Sequence, residues 1–500
     1  MKAKNYKRFK NDKPRTACGI FGVLDHPTAS VLTYYGLHSL QHRGQEASGI
    51  VSCEFREDKK RNHFNMVKGM GLVTDVFKDY DLLKNQLKGK MAIGHNRYST
   101  TGSANNEKNI QPLIVNYRDG NLAVAHNGNL TNYRTIRKQL QDDGTIFQTT
   151  SDTELLLHLI ARSKQKKQID QIREAVDQVD GAFSLLLMTD TMLVAVRDIH
   201  GFRPLALAEK DGSYVVASET CAFDIIDAKY IRDIEPGEIL VIDKRADSKE
   251  PLTSYRIKRH SEQSHHCIFE YIYFSRPDSF IFGDSVDKVR RKLGKSLAQE
   301  SPVTPDPDEK TIVISVPDSS NTAALGFVTE SIKQGINTKL ELGLIRNHYV
   351  GRTFIQPEQG QREMKVKTKF NTVKGVLKGK KVVVVDDSIV RGTTSKQLVK
   401  LLKEAGPKEI HFRITSPPII NSCYYGMDFP NREDLIAVKC DENVEKIRLE
   451  LGVDSIQYLS VKKMLASVPS GERKGYCTAC FGGKYPAPIE NVTDKNDLEA

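Results

Sequence analysis

The chain has 500 residues, too many for one compact core, so two sizeable domains are expected. Hydrophobic residues make up 39% and charged residues 27%, an ordinary globular balance, and no apolar run approaches the length of a membrane span. The net charge of +11 first suggests an acidic macromolecule as partner, but residues 1–17 hold seven Lys/Arg against one acid, so from Cys18 onward only +5 remains. That remainder suits an enzyme of phosphorylated substrates as well as it suits RNA; the chain's motifs favour the former, so neither nucleic acid nor membrane is expected as a partner.

Residues 1–17 lack an apolar segment and are not a secretory signal. The eight cysteines therefore read as reduced thiols, ligands or nucleophiles in a cytoplasmic protein. Up to about residue 245 the chain alternates short strands with two helices. The strands are Gly19–Leu24, Met91–Gly94, Leu122–His126, Phe183–Thr189, Leu193–Arg197 and Tyr214–Ser218. The helices are Asn132–Asp142 and Thr153–Ser163, the second opening on a Ser151-to-Glu154 capping pattern. This reads as a layered α+β domain with antiparallel sheets. The polar stretch 244–266 reads as a joint.

After a Pro- and Asp-rich loop near residues 299–310, strand and helix alternate. Lys310–Val316, Lys380–Val385 and Glu409–Thr415 are strands; Asn321–Gln334 and Thr394–Ala405 are helices. That order predicts a parallel α/β sheet. Four domain-level segments result: a leader (1–17), the α+β unit (18–250), the α/β unit (251–470) and a C-terminal segment (471–500).

The strongest motif is Val382-Val383-Val384-Val385-Asp386-Asp387-Ser388-Ile389-Val390-Arg391-Gly392-Thr393-Thr394-Ser395. A buried strand ends in two carboxylates, which can accept from vicinal ribose hydroxyls. The loop and helix start that follow offer backbone N–H groups and hydroxyls to a phosphate. The segment resembles the phosphoribosyl-pyrophosphate (PRPP) motif of type I phosphoribosyltransferases. The resemblance implies Asp386 and Asp387 at the ribose and its Mg²⁺, with Arg391, Gly392, Thr393, Thr394 and Ser395 around the 5′-phosphate. It also implies that the Val316–Ser320 loop gives Ser319 to the metal. Residues 346–357 and the basic positions Lys367 and Lys369 read as a flap over a polyanion, with Arg346, Tyr349, Arg352 and Lys369 its contacts; His348 departs from the family's usual basic residue.

Cys18 opens the first strand straight after the leader. A Cys that becomes the first residue has its own α-amine as base, with an ordinary pKa of about 7.7–8. Alone it would more often be a buried structural thiol. In order after it come Gln41–Glu46, Gly94–Thr100, His126–Asn129 and Ser151–Glu154. Together these resemble the class II glutamine amidotransferase domain, an N-terminal-nucleophile (αββα) fold. The resemblance implies Cys18 as nucleophile, Asn127 and Gly128 as oxyanion hole, and Arg97 and Asp152 at the glutamine α-carboxylate and α-ammonium.

Cys477-Thr478-Ala479-Cys480, Cys267 and Cys423 supply four further thiols; Cys53, Cys221 and Cys440 read as structural. Zinc and an iron–sulfur cluster share this ligand count. The contexts are similar to the cluster-bearing branch of the glutamine PRPP amidotransferase family, which implies a [4Fe–4S] cluster. That family joins both halves over about residues 18–485. It implies a glycosyltransferase of purine synthesis with glutamine and PRPP as substrates, purine nucleotides as feedback inhibitors, and a homotetramer. A nucleotide-responsive regulator would have no use for the glutaminase set, and amidotransferases making amino sugars or asparagine would have none for Asp386–Ser395.

Overall fold

A computed structural model of the chain describes residues 18–57, 61–98, 107–243, 250–305, 309–347 and 369–490. The first half is built on two antiparallel sheets. The seven-stranded sheet runs in the order Lys229–Asp233, Ala206–Lys210, Ser213–Ala217, Gly19–Leu24, Met91–Arg97, Ala47–Arg56, Arg61–Met70. The six-stranded sheet runs Leu252–Arg256, Glu238–Ile242, Leu193–Arg197, Gly181–Thr189, Gly120–Leu130, Leu113–Tyr117. Their inner faces share one apolar layer that includes Ile20, Ile93, Ala125, Leu186 and Leu240. Helix Ala29–Ser39 covers one outer face, and helices Tyr133–Asp142, Thr153–Arg162 and Gln168–Val176 cover the other. The result is the expected αββα sandwich.

The second half holds a five-stranded sheet in the order Thr338–Leu340, Thr311–Ser315, Lys381–Asp386, Glu409–Ile414, Ser455–Tyr458, parallel throughout. Its middle strand explains the run of valines. Val383 and Val385 enter the core under helices Val286–Glu300 and Asn321–Lys333, while Val382 and Val384 enter the core under Thr393–Glu404 and Val444–Leu451. Successive side chains alternate faces, so a strand covered on both sides has apolar residues at every position. Among the described residues no helix is long and apolar enough to cross a membrane.

The structure departs from two local expectations. Leu252–Arg256 is not connector but the edge strand of the six-stranded sheet, paired to Glu238–Ile242; residues 244–249 lie outside the described residues. The Ser151–Glu154 pattern does not form a reciprocal cap. The Glu154 carboxylate instead accepts from the N–H groups of Gln148 and Thr149, each at 2.7 Å, and so ties the preceding turn.

The two halves meet at a buried ionic network. Arg43, Glu219, Arg203 and Glu270 all have side chains 0% exposed. Arg43 pairs with Glu219 and donates to Glu270 at 2.7 and 3.0 Å; Arg203 donates to Glu270 at 3.0 Å. Ser275 and Ser279 add hydroxyl donors to the two carboxylates. Burial works to raise both glutamates, but His42 and Arg43 hold Glu219, and Arg43 and Arg203 hold Glu270, below the ordinary range. Their contribution is thus present above the ordinary carboxylate pKa and is lost as pH falls through the depressed folded values. Removing one partner strands its opposite charge, so Glu270→Ala is expected to destabilise the protein by about 3–5 kcal/mol. Denaturant unfolding at neutral pH checks this; a loss below about 1 kcal/mol would rule out a paired network here.

Candidate functional site

The strand Gly19–Leu24 places Cys18 at the edge of the sandwich beside the end of Met91–Arg97. The Cys18 thiol donates to the Tyr98 carbonyl at 3.4 Å and accepts from the Tyr98 N–H at 3.5 Å. Its own carbonyl accepts from Arg43 Nε at 3.2 Å. Burial pushes the thiol up to about 11, eased by the Tyr98 hydrogen bond and Arg97 and reinforced by Asp152 and Glu46. Arg97 and Asp152 thus lie within electrostatic reach of the sulfur, as their grouping in the sequence anticipates.

Asn127 and Gly128 sit on the strand Gly120–Leu130 of the other sheet. Asn127 is 0% exposed, and both atoms of its side-chain amide are buried without a hydrogen-bond partner. A buried amide left open in this way costs about 1–3 kcal/mol, and its two polar atoms are free to serve a ligand. Gly128 has φ +154°, and a Cβ there would lie 1.9 Å from the Ala182 carbonyl oxygen. Only glycine fits that approach.

Asp152 is buried and already engaged. Its Oδ2 accepts from the Leu130 N–H at 3.0 Å, Thr153 donates to Oδ1 at 3.3 Å, and His126 Nδ1 lies 3.6 Å away. Burial works to raise its pKa, but the His126 charge and these hydrogen bonds hold it below the ordinary value. It is therefore ionised and oriented, as an ammonium partner must be. His126 in this role is a residue that sequence reasoning left inside a motif without a function.

In the second half, Asp386 and Asp387 end the middle strand and are 4% and 1% exposed. Ser319 donates to Asp387, Ser388 donates to its other oxygen at 2.7 Å, and Ser320 donates to Asp386 at 3.2 Å. The two strand-end loops read from the sequence are thus in contact, with Ser320 and Ser388 as unforeseen partners. Gly392 has φ +78° and leads into the helix Thr393–Glu404; a Cβ there would meet Ile436 at 2.3 Å. The N–H groups of Thr393, Thr394 and Ser395 lie in the first turn of that helix, where no intrahelical acceptor exists for them. Arg391 reaches toward Asp434 at 3.8 Å.

Of the flap residues, Arg346 donates to Asp318 at 2.7 Å, and the carbonyl of Lys369 accepts from Asn347 N–H at 2.8 Å. Leu344–Arg346 and Phe370–Thr372 form a short antiparallel pair. Tyr349 and Arg352, with His348 and Lys367, lie outside the described residues, as do residues 1–17.

Cys267, Cys423, Cys477 and Cys480 line a single pocket with Phe202, Phe269 and Phe429 on its walls. A parallel two-residue ladder sets Cys267 opposite Cys477. Burial raises the thiols of Cys267, Cys477 and Cys480, Cys267 to about 12, and the neighbouring sulfurs add to the effect. Among the described residues no three His, Cys, Asp or Glu side chains gather as ligands of a single metal ion.

A family model of the glutamine amidotransferase domain matches residues 95–224, and one of the phosphoribosyl transferase domain matches residues 340–415. The chain is 49% identical over 483 residues to the chloroplastic amidophosphoribosyltransferase of Vigna aconitifolia, covering 96% of this chain and 94% of that one. With the amidophosphoribosyltransferase of Bacillus subtilis it shares 48% identity over 480 residues, 95% of each chain. Among solved structures it is similar to the allosteric regulatory enzyme of purine biosynthesis, with TM-score 0.86, 46% identity, and coverage of 97% of this chain and 99% of that one. It is similar also to the glutamine PRPP amidotransferase from B. subtilis complexed with ADP and GMP, with TM-score 0.85, 46% identity, and coverage of 96% and 100%. With an N-terminal-nucleophile amidotransferase unit and a phosphoribosyltransferase unit in one chain, and relatives this close over nearly all of it, the chain belongs to the amidophosphoribosyltransferase family of glycosyltransferases.

Proposed function

We infer that the chain hydrolyses glutamine at Cys18 and passes the ammonia to PRPP, giving 5-phosphoribosylamine, glutamate and pyrophosphate at the opening step of purine synthesis. The observation that supports this best is the partnerless Asn127 amide of the αββα sandwich, in the same chain as the paired carboxylates at the end of the valine strand. The division proposed is a leader at 1–17, a glutaminase unit from 18, a transferase unit to about 470 and a C-terminal segment. The pairing of Leu252–Arg256 with Glu238–Ile242 supports drawing the boundary between the two units, near 250, just after that strand.

A thiol pushed up to about 11 is a poor nucleophile near neutral pH. Loss of residues 1–17 frees an α-amine on Cys18 itself, with an ordinary pKa of about 7.7–8, to take the thiol proton. The thiolate adds to the glutamine amide carbon, held by Arg97 at the α-carboxylate and Asp152 at the α-ammonium. Asn127 and Gly128 stabilise the oxyanion. The amine returns its proton to the leaving nitrogen, ammonia departs, and water cleaves the thioester to glutamate. At the second site ammonia attacks C1 of the ribose and pyrophosphate leaves.

Asp386 and Asp387 hold the ribose hydroxyls, and Arg391 to Ser395 hold the 5′-phosphate. Ser319, Asp386 and Asp387 form an all-oxygen donor set that suits Mg²⁺, which when bound neutralises charge on the pyrophosphate. The flap residues Arg346, Tyr349, Arg352 and Lys369 exclude water from the donor. The four thiols line one pocket, and an all-thiolate set of this size suits a [4Fe–4S] cluster, with zinc the alternative of equal ligand count. The cluster would cross-link three chain segments and is needed for no step of the reaction. Cytoplasmic location, a homotetramer and inhibition by purine nucleotides complete the reading. The last is supported by a relative described as complexed with ADP and GMP.

Intact-mass analysis of active protein is expected to place the amino terminus at Cys18. Cys18→Ala should lower glutamine-supported product formation by about 10³-fold or more while ammonium still supports it. Active protein beginning at Met1, or undiminished glutamine use in the variant, would overturn the glutaminase reading. Separately, Cys477→Ser is expected to lose the iron and acid-labile sulfide measured in anaerobically purified protein; full retention of both would remove that thiol from the ligand set.

A further inference from the structure

A loop of the transferase unit leaves the four-thiol pocket at Cys423 and lies on the strand that bears the oxyanion pair. Asn129 Nδ2 donates to the Tyr424 carbonyl at 2.8 Å. Gly426 approaches Gly128 so closely that a Cβ on it would stand 3.2 Å from the Gly128 carbonyl carbon and 3.4 Å from its Cα. Gly128 is held in the sheet opposite Phe183, and both the Ala182 carbonyl and Gly426 lie close against it. With no side chain of its own, it can be shifted along the strand by a change at Gly426.

Arg203 holds the loop from behind. Its Nη2 donates to the Tyr425 carbonyl at 2.7 Å, and its Nη1 donates to Glu270 at 3.0 Å and lies 3.6 Å from the Met427 sulfur. The Tyr425 ring stacks on Phe202, with centroids 4.3 Å apart. A planar guanidinium can serve a carbonyl and a carboxylate in two directions at once; a lysine cannot do so with the same geometry. Oxyanion donors act over a narrow range of distance, so a small displacement of the strand weakens them steeply.

We propose that Arg203 is a positioning residue for the glutaminase oxyanion hole, acting through the contact of Gly426 with Gly128. The inference rests on the oxyanion reading of Asn127 and Gly128. It assigns part of the glutaminase geometry to the transferase unit, so the first unit's site is complete only with that loop in place.

The test uses the full chain with Arg203→Lys and Gly426→Ala, the second inserting a methyl group that meets both Arg203 Nη2 and Gly128. Each is expected to lower glutamine-supported kcat by about tenfold or more, with the ammonia-supported rate and the KM for PRPP kept within about twofold of the parent. Thermal unfolding of each variant reports that the fold is retained. Parental glutamine kcat in both variants would overturn the proposal. So would an equal fall in the ammonia-supported rate, which marks a general structural effect. Asn127→Ala separates the two readings. If it lowers kcat while the other two do not, only this inference fails; if all three leave kcat unchanged, the oxyanion assignment fails with it.

Discussion

Everything in this structure depends on four charges that no water touches. Arg43, Glu219 and Arg203 come from the sandwich, whereas Glu270 comes from the segment that leads into the second unit. Desolvating each ion costs several kcal/mol, which the two arginines and two glutamates, with His42 against Glu219, offset between them. The sandwich alone would bury an excess positive charge. Its interface with the second unit is therefore an obligatory one, unlike the looser contacts common between domains. Arg43 also reaches the carbonyl of Cys18, so one side chain takes part both in the charge balance and in placing Cys18.

The same low dielectric shapes the reactive groups. It drives His95 down to about 3, keeping that ring neutral, and drives the Cys18 thiol upward. It leaves Asp152 ionised only because His126, Thr153 and the Leu130 N–H share its charge. Among the described residues Asn127 alone leaves both polar atoms of its buried side chain open, where His95, His126 and Asn129 each leave one. Local rules of folding are broken there, as is usual where binding chemistry must be ready before the substrate arrives.

Motifs at strand ends were legible in the sequence because topology and chemistry coincide in a short window. Val382 to Ser395 carries strand, carboxylates and helix start together, and the structure needs all of them in that order. The helix Ala29–Ser39 was not legible. Its buried face includes Ser30, Thr33, Gly36 and Ser39 among the apolar residues, so no apolar stripe marks it. The edge strand Arg61–Met70 is mostly half-exposed and polar, and so has little alternation to find. Glu270, Arg203 and Arg290 were invisible for a different reason. A buried charge looks like a surface charge in sequence, and its oppositely charged partner lies scores of residues away. Arg290, for instance, is fixed by the carbonyls of Tyr271 and Ser275 and carries its charge toward Asp387.

The ladder that sets Cys267 opposite Cys477 joins positions more than two hundred residues apart. During synthesis the sandwich and most of the parallel sheet can form while the ribosome is still at work, since domains fold in order from the amino end. The four-sulfur pocket cannot. Half of its sulfurs emerge only after residue 476, once most of its wall is already made. Its closure is thus the last event of assembly and a mark of completeness: a chain that stalls early exposes Cys267, Cys423 and the aromatic wall around them, surface that quality-control proteases can recognise.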